Sequence, residues 1–143
     1  MDCVFCAIIA GRAPASIVHR DADCIVFMDI RPVTPGHLLI VPLVHTASLS
    51  ELPADSGKAM FALAQQLTAA VRRSGVRADG VSLLLADGEA AGQEVFHVHL
   101  HAIPRFEGDG FGLRLPAGYG AECAREQLDA TAAAVRSALT RAV

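Results

Sequence analysis

Residues 94–105 read EVFHVHLHAIPR, and the spacing inside this stretch governs how the rest of the chain is read. His97, His99 and His101 stand at every second position, with Val98 and Leu100 between them and Ala102 after. In an extended chain successive side chains point to opposite faces, so the three imidazoles share one side with Ile103. Val98, Leu100 and Ala102 share the other side, the one expected to meet a core. Successive imidazoles would then stand about 6.5–7 Å apart. Three readings follow. The rings could pack on a polar sheet face, they could hold zinc as an HxH chelate with an open position, or one neutral imidazole could act as a nucleophile.

The loop before this strand bears on the choice. Residues 87–94, DGEAAGQE, place Gly88 and Gly92 near the strand entrance. Such a loop can turn successive backbone N–H groups inward, and those donors suit phosphate oxygens. Gln93 adds an amide that donates without carrying charge. A phosphate cradle opening onto a row of imidazoles points to attack at phosphorus.

Working outward, Val81–Ala86 forms a second strand beside Phe96–Ile103. Ser16–Arg20, Cys24–Asp29 and Leu38–Pro42 are rich in Ile, Val and Leu and are bounded by turn signals such as RPVTPG. Met60, Leu63, Leu67 and Val71 recur at helical spacing, which predicts a helix from about Ala54 to Ser74, closed by Gly75. An alanine-rich stretch from about Glu122 to Ala142 predicts a second. Ile8 and Ile9 close a short N-terminal helical turn. Met60 and Phe61 read as core or dimer contacts. The class is α+β, with an antiparallel sheet of about five strands, one long central helix and a C-terminal helix, in a single domain spanning 1–143.

Bulk properties exclude several functions. Twelve basic and fifteen acidic side chains give a net charge of −3, the wrong balance for a general nucleic-acid binder. No apolar run reaches the length of a membrane span, and the start MDCVFCAIIAG lacks the basic region of a signal peptide. Four cysteines without a secretion signal do not make a disulfide framework, so the expected compartment is the cytoplasm. Cys24 and Cys123 read as small apolar fillers, and His19 as a surface residue.

GQEVFHVHLHAIPR resembles the signature of the HIT (histidine triad) family, His-x-His-x-His followed by two apolar residues. The likeness runs from CVFCAIIAGRAPA through VFMDIRPVTPGHLLIVPLVH to IPRFEGDGFG, about residues 3–112, with a C-terminal helical extension at about 121–142. It is most like bacterial HIT proteins, related to the Hint and Fhit branches. The resemblance implies a HIT-like fold, a homodimer and a nucleotide hydrolase acting on nucleoside phosphoramidates or dinucleoside polyphosphates. It assigns His99 as the nucleophile at the α-phosphorus, forming a nucleotidyl-histidine that water hydrolyses. One ring nitrogen of His99 would donate to a main-chain carbonyl, leaving the other bare. His101 would contact phosphate and help pass a proton to the leaving group, with Gln93 assisting.

For the nucleotide, the family pattern implies Asp29 on the ribose hydroxyls and an apolar base slot of Phe5, Ile8, Phe27 and Ile30. Gly92, Gln93, Glu94 and Val95 would surround the phosphate, and an AMP-like purine nucleotide is the implied ligand. Two positions depart from the pattern. Ala86 replaces an Asn, and Glu94 stands where Ser or Thr is usual: its carboxylate would repel phosphate unless the side chain turns away and leaves only its N–H, the option favoured here. His37 reads as structural. With an ordinary imidazole pKa near 6.5, activity is expected to fall below about pH 6.

Cys3 and Cys6 form CVFC, either a redox pair or half of a zinc site that two distant histidines complete. In zinc-bearing HIT proteins those histidines correspond here to His45, in VPLVHTASL, and His97. The implied ion is structural. Two competing readings remain: a zinc-stabilised nucleotide-binding or interaction protein with vestigial catalysis, and a zinc hydrolase that uses all three histidines as ligands.

Overall fold

The computed structural model describes residues 3–141. Five strands, β1 (Ile17–Arg20), β2 (Cys24–Met28), β3 (Leu38–Pro42), β4 (Gly80–Leu84) and β5 (Leu100–Arg105), form one sheet in the order β1-β2-β3-β5-β4. Every neighbouring pair is antiparallel. The helices are α1 (Val4–Ile9), α2 (Ala54–Arg73) and α3 (Arg125–Arg141). The chain clusters into two compact units, one up to Phe111 and one from Gly112. The helix of the C-terminal extension starts at Arg125. Ala142 lies outside the described residues. Between Gly112 and Leu139 every described side chain is exposed, so this segment buries no core of its own.

The first unit has apolar contacts on both sheet faces. On one, Cys24 and Val26 of β2, Leu38 and Ile40 of β3, and Leu100 and Ala102 of β5 pack against Met60, Leu63, Ala64, Leu67 and Val71 of α2. Burial is worth roughly 1.5–3 kcal/mol for each large side chain on that stripe. On the other face Ile25, Phe27, Leu39 and Val41 meet Phe5 and Ile8 of α1. Covering both faces is why β2 and β3 read as continuous apolar runs and not as alternating ones. Met60 belongs to the core, whereas Phe61 is exposed.

Among the glycines with positive φ, two position the elements around the sheet. Gly75 (φ +87) follows Ser74, the cap of α2, in the left-handed conformation. Gly36 (φ +93) turns the chain into β3, and a Cβ there would stand 2.7 Å from Val76.

The strand expected at Phe96–Ile103 begins only at Leu100. Residues 96–99 lie outside the sheet ladder. Val98 instead donates its N–H to Thr46 O at 2.9 Å. Alternation still holds, with Val98 in the α2 core and His97 and His99 against Phe5. Burial on two sides imposes that pattern whether or not the backbone pairs.

Candidate active site and metal cluster

Each triad imidazole has its protonation pattern set by a different partner. His97 is fully buried, and its Nε2 donates to Pro42 O at 2.8 Å, which leaves Nδ1 bare. That nitrogen faces His45 Nδ1 at 3.1 Å and the sulfurs of Cys3 and Cys6, each at 3.6 Å. Cys6 Sγ lies 3.3 Å from His45 Nδ1. Cys3 caps α1 and Cys6 lies on its first turn, so spacing of three brings both sulfurs to one side.

A tetrahedral zinc with bonds of about 2.3 Å to sulfur and 2.0–2.1 Å to nitrogen has S···N edges of about 3.5 Å and an N···N edge of about 3.3 Å. The three S···N distances and the N···N distance above match those edges within a few tenths of an ångström. The second-sphere carbonyl of Pro42 fixes the His97 tautomer a metal needs. The donor set therefore fits a closed structural zinc.

His99 Nδ1 donates to His97 O at 2.7 Å, leaving Nε2 bare on a ring that lines a cavity of about 380 Å³. This volume suits a small-molecule ligand. Burial lowers the His99 pKa most, against a smaller upward pull from the His97 carbonyl bond. The acid limb of activity expected near pH 6 therefore moves lower.

His101 is organised by His37, to which the sequence reading gave only a structural role. Val33 N–H donates to His37 Nδ1 at 3.1 Å, so the ring hydrogen of neutral His37 sits on Nε2. Nε2 then donates to His101 Nδ1 at 2.9 Å, which puts the His101 hydrogen on Nε2. Asp29 Oδ2 lies 3.6 Å from the same His37 nitrogen. Asp29, His37 and His101 are close enough together to suggest a second metal set. A cation on His37 Nε2 would displace the hydrogen that Val33 forces there, so the cluster is a hydrogen-bond relay. No local sequence pattern announces this role. It arises from the β3–β5 register, with Leu38 opposite Ala102.

The other expected site residues converge on the same cavity. Phe5, Ile8, Phe27 and Ile30 line it with Asp29, although Ile30 is a lip residue 90% exposed and not a buried wall. Gly92, Glu94 and Val95 line it from the loop. Val4, Pro14, Ala15 and Met28 also line it and were missed, since nothing in GRAPAS marks a binding wall.

Gln93 is placed differently from the expectation. It is buried, its Oε1 accepts from Gly88 N–H at 2.7 Å, and its Nε2 donates to Ala47 O and Val95 O at 2.8 and 3.2 Å. Both amide hydrogens are consumed, so Gln93 shapes the loop and does not reach phosphate. The N–H groups of Gly92 and Gln93 are likewise bonded within the loop. Those of Glu94 and Val95 have no acceptor among the described residues. The Glu94 side chain turns to Arg31 Nη2 at 3.2 Å.

Gln93→Ala is expected to cost about 2–3 kcal/mol, because it removes three hydrogen bonds that tie part-buried backbone groups together. Denaturant unfolding and calorimetry check this, and an unchanged variant contradicts it.

Burial also lowers the pKa values of His37 and His97, and that of His101 to about 4. These rings are neutral in the fold, while in the unfolded chain they take up protons below about pH 6.5. Their stabilisation is full above pH 6.5 and is lost as pH falls toward 4. His101 alone accounts for about 2–3 kcal/mol of this. Urea midpoints at pH 7.5 and 5, measured in chelator, should fall accordingly; equal midpoints contradict the assignment.

The family model for the HIT domain matches residues 10–108. The chain belongs to the HIT family. An uncharacterized HIT-like protein of Mycobacterium tuberculosis is 45% identical over 109 residues, 76% of this chain and 75% of that protein. A zinc-bound histidine triad family protein from Mycobacterium smegmatis superposes with a TM-score of 0.75 at 41% identity, covering 96% of this chain and 98% of the other. A histidine triad nucleotide-binding protein from Candida albicans gives 0.86 at 28% identity, covering 99% and 100%. The five-stranded antiparallel sheet with its central helix is the HIT fold.

Proposed function

We propose that this HIT protein is a nucleotide hydrolase that cleaves nucleoside phosphoramidates or dinucleoside polyphosphates through a nucleotidyl-His99 intermediate. The observation that carries the reading is the bare Nε2 of His99 in the cavity beside a ring, His101, that presents a hydrogen. The lone pair attacks the α-phosphorus as the bond from that phosphorus to the amine nitrogen or bridging oxygen breaks, and the His101 hydrogen helps protonate the departing group. The Glu94 and Val95 N–H groups, with His101 Nε2–H, meet the charge that develops on phosphoryl oxygen. Asp29 accepts from the ribose hydroxyls, and Phe5, Ile8 and Phe27 flank a purine of the AMP type. Water then hydrolyses the intermediate.

Cys3, Cys6, His45 and His97 would hold zinc, which supplies a cross-link between α1 and the segment carrying the triad. His99 and His101 are engaged elsewhere, which disfavours a metal held by all three histidines. Edge strand β4, with Leu83 and Leu84 partly exposed, offers a surface for a homodimer. The free cysteines fit a cytoplasmic location. Among the described residues no helix is long and apolar enough to cross a membrane.

A second reading, a zinc-stabilised nucleotide-binding protein with vestigial catalysis, draws on Ala86, which supplies no side-chain donor beside the loop. Incubation with an adenosine phosphoramidate and a diadenosine polyphosphate separates the two. Turnover of either supports the hydrolase, and binding of AMP without turnover supports the second reading.

A further inference from the structure

Arg31 is the only lysine or arginine among the described residues that line the cavity, and it is already engaged. Its Nη2 meets Glu94 Oε2 at 3.2 Å, while its backbone N–H donates to Asp29 Oδ1 at 2.8 Å, which fixes the turn after β2. The pair thus joins two chain segments, one carrying the ribose candidate Asp29 and the other the free loop N–H groups. Both side chains are about four-fifths exposed, at 82% and 79%, so they stand at the mouth. Both share the lining of that cavity with His99 and His101.

Two carboxylates, Asp29 and Glu94, line the cavity with this one guanidinium, and Glu94 is the one paired with it. The remaining donors toward phosphate are neutral: the Glu94 and Val95 N–H groups and the His101 ring. Neutral donors suffice for one phosphate. A second phosphate calls for a cationic fork of its own. Here it would have to displace Glu94 from Arg31 and lie beside that carboxylate.

We propose that the Arg31–Glu94 pair is a specificity determinant that biases the cavity toward nucleotides whose single phosphate carries an uncharged or cationic group. A further phosphate is disfavoured. The inference rests on the nucleotide reading above and narrows it toward amine-bearing phosphate substituents. Exposed pairs are worth up to about 1 kcal/mol, so the selection amounts to a bias of about fivefold.

The test is calorimetric titration of AMP and of ADP, without divalent metal, into the full chain and into Glu94→Gln and Arg31→Gln/Glu94→Gln variants. The native protein should bind AMP more tightly than ADP. Glu94→Gln should move the affinity ratio toward ADP by about fivefold, and the double variant should move it back. Higher salt should shrink the native preference. If AMP binds but Glu94→Gln leaves the ratio unchanged, or if native protein prefers ADP, the charge role is overturned. If native protein binds neither nucleotide, the nucleotide reading itself fails.

Discussion

His99→Ala is expected to lower kcat for an adenosine phosphoramidate by at least about 10⁴-fold while AMP affinity changes by less than tenfold. The asymmetry follows from where the lone pairs point. His99 directs its Nδ1 hydrogen to the His97 carbonyl and keeps Nε2 bare, whereas the relay from Val33 through His37 leaves His101 with its hydrogen on Nε2. His101 therefore cannot replace His99 as nucleophile without breaking the His37 bond. Binding should survive because, although Phe5 of the base slot packs on the His99 ring, Ile8, Phe27, Asp29 and the loop N–H groups remain to hold the nucleotide. Single-turnover kinetics and calorimetry on the variant measure both quantities. Hydrolysis within tenfold of native would rule out covalent catalysis at this ring.

The second large effect concerns the proposed zinc site. Cys3→Ser/Cys6→Ser should lose zinc stoichiometrically and lower the melting temperature by more than about 10 °C. Structural zinc sites contribute many kcal/mol to folding, and each kcal/mol moves a domain of this size by several degrees. Hydroxyls are poor replacements for thiolates, and His97 Nδ1 would remain buried facing His45 with no ion between them. At a temperature where the variant is folded, turnover should stay within about tenfold of native, since no cavity-facing donor is a ligand. Metal analysis and thermal unfolding, paired with rates, check this. A variant that keeps its fold and loses all turnover would make the ion catalytic.

How much of this was legible beforehand depends on the kind of interaction. Strands β2 and β3 and helix α2 follow from apolar spacing, which burial on defined faces imposes directly on the sequence. The triad's division of labour also leaves a trace, because alternation separates His97 and His99 from Val98 and Leu100. The start of β5 was misplaced because the same alternation continues through residues 96–99, where the partner is a single Thr46 carbonyl and no strand.

Side chains whose targets lie far along the chain were the least readable. The Gln93 amide looked available for phosphate, yet a backbone carbonyl at Ala47 claims it. His37 carried no sign of its link to His101, which is set by sheet register across 64 residues. The C-terminal helix was found from alanine content, but its exposure was not, since helix propensity is silent about what a helix packs against.

The stereochemical course at phosphorus tests the central claim most directly. Two successive in-line displacements, first by His99 Nε2 and then by water, each invert configuration. A substrate chiral at the α-phosphorus should therefore give product with net retention. Net inversion would mean that water attacks the substrate directly, and would contradict the account.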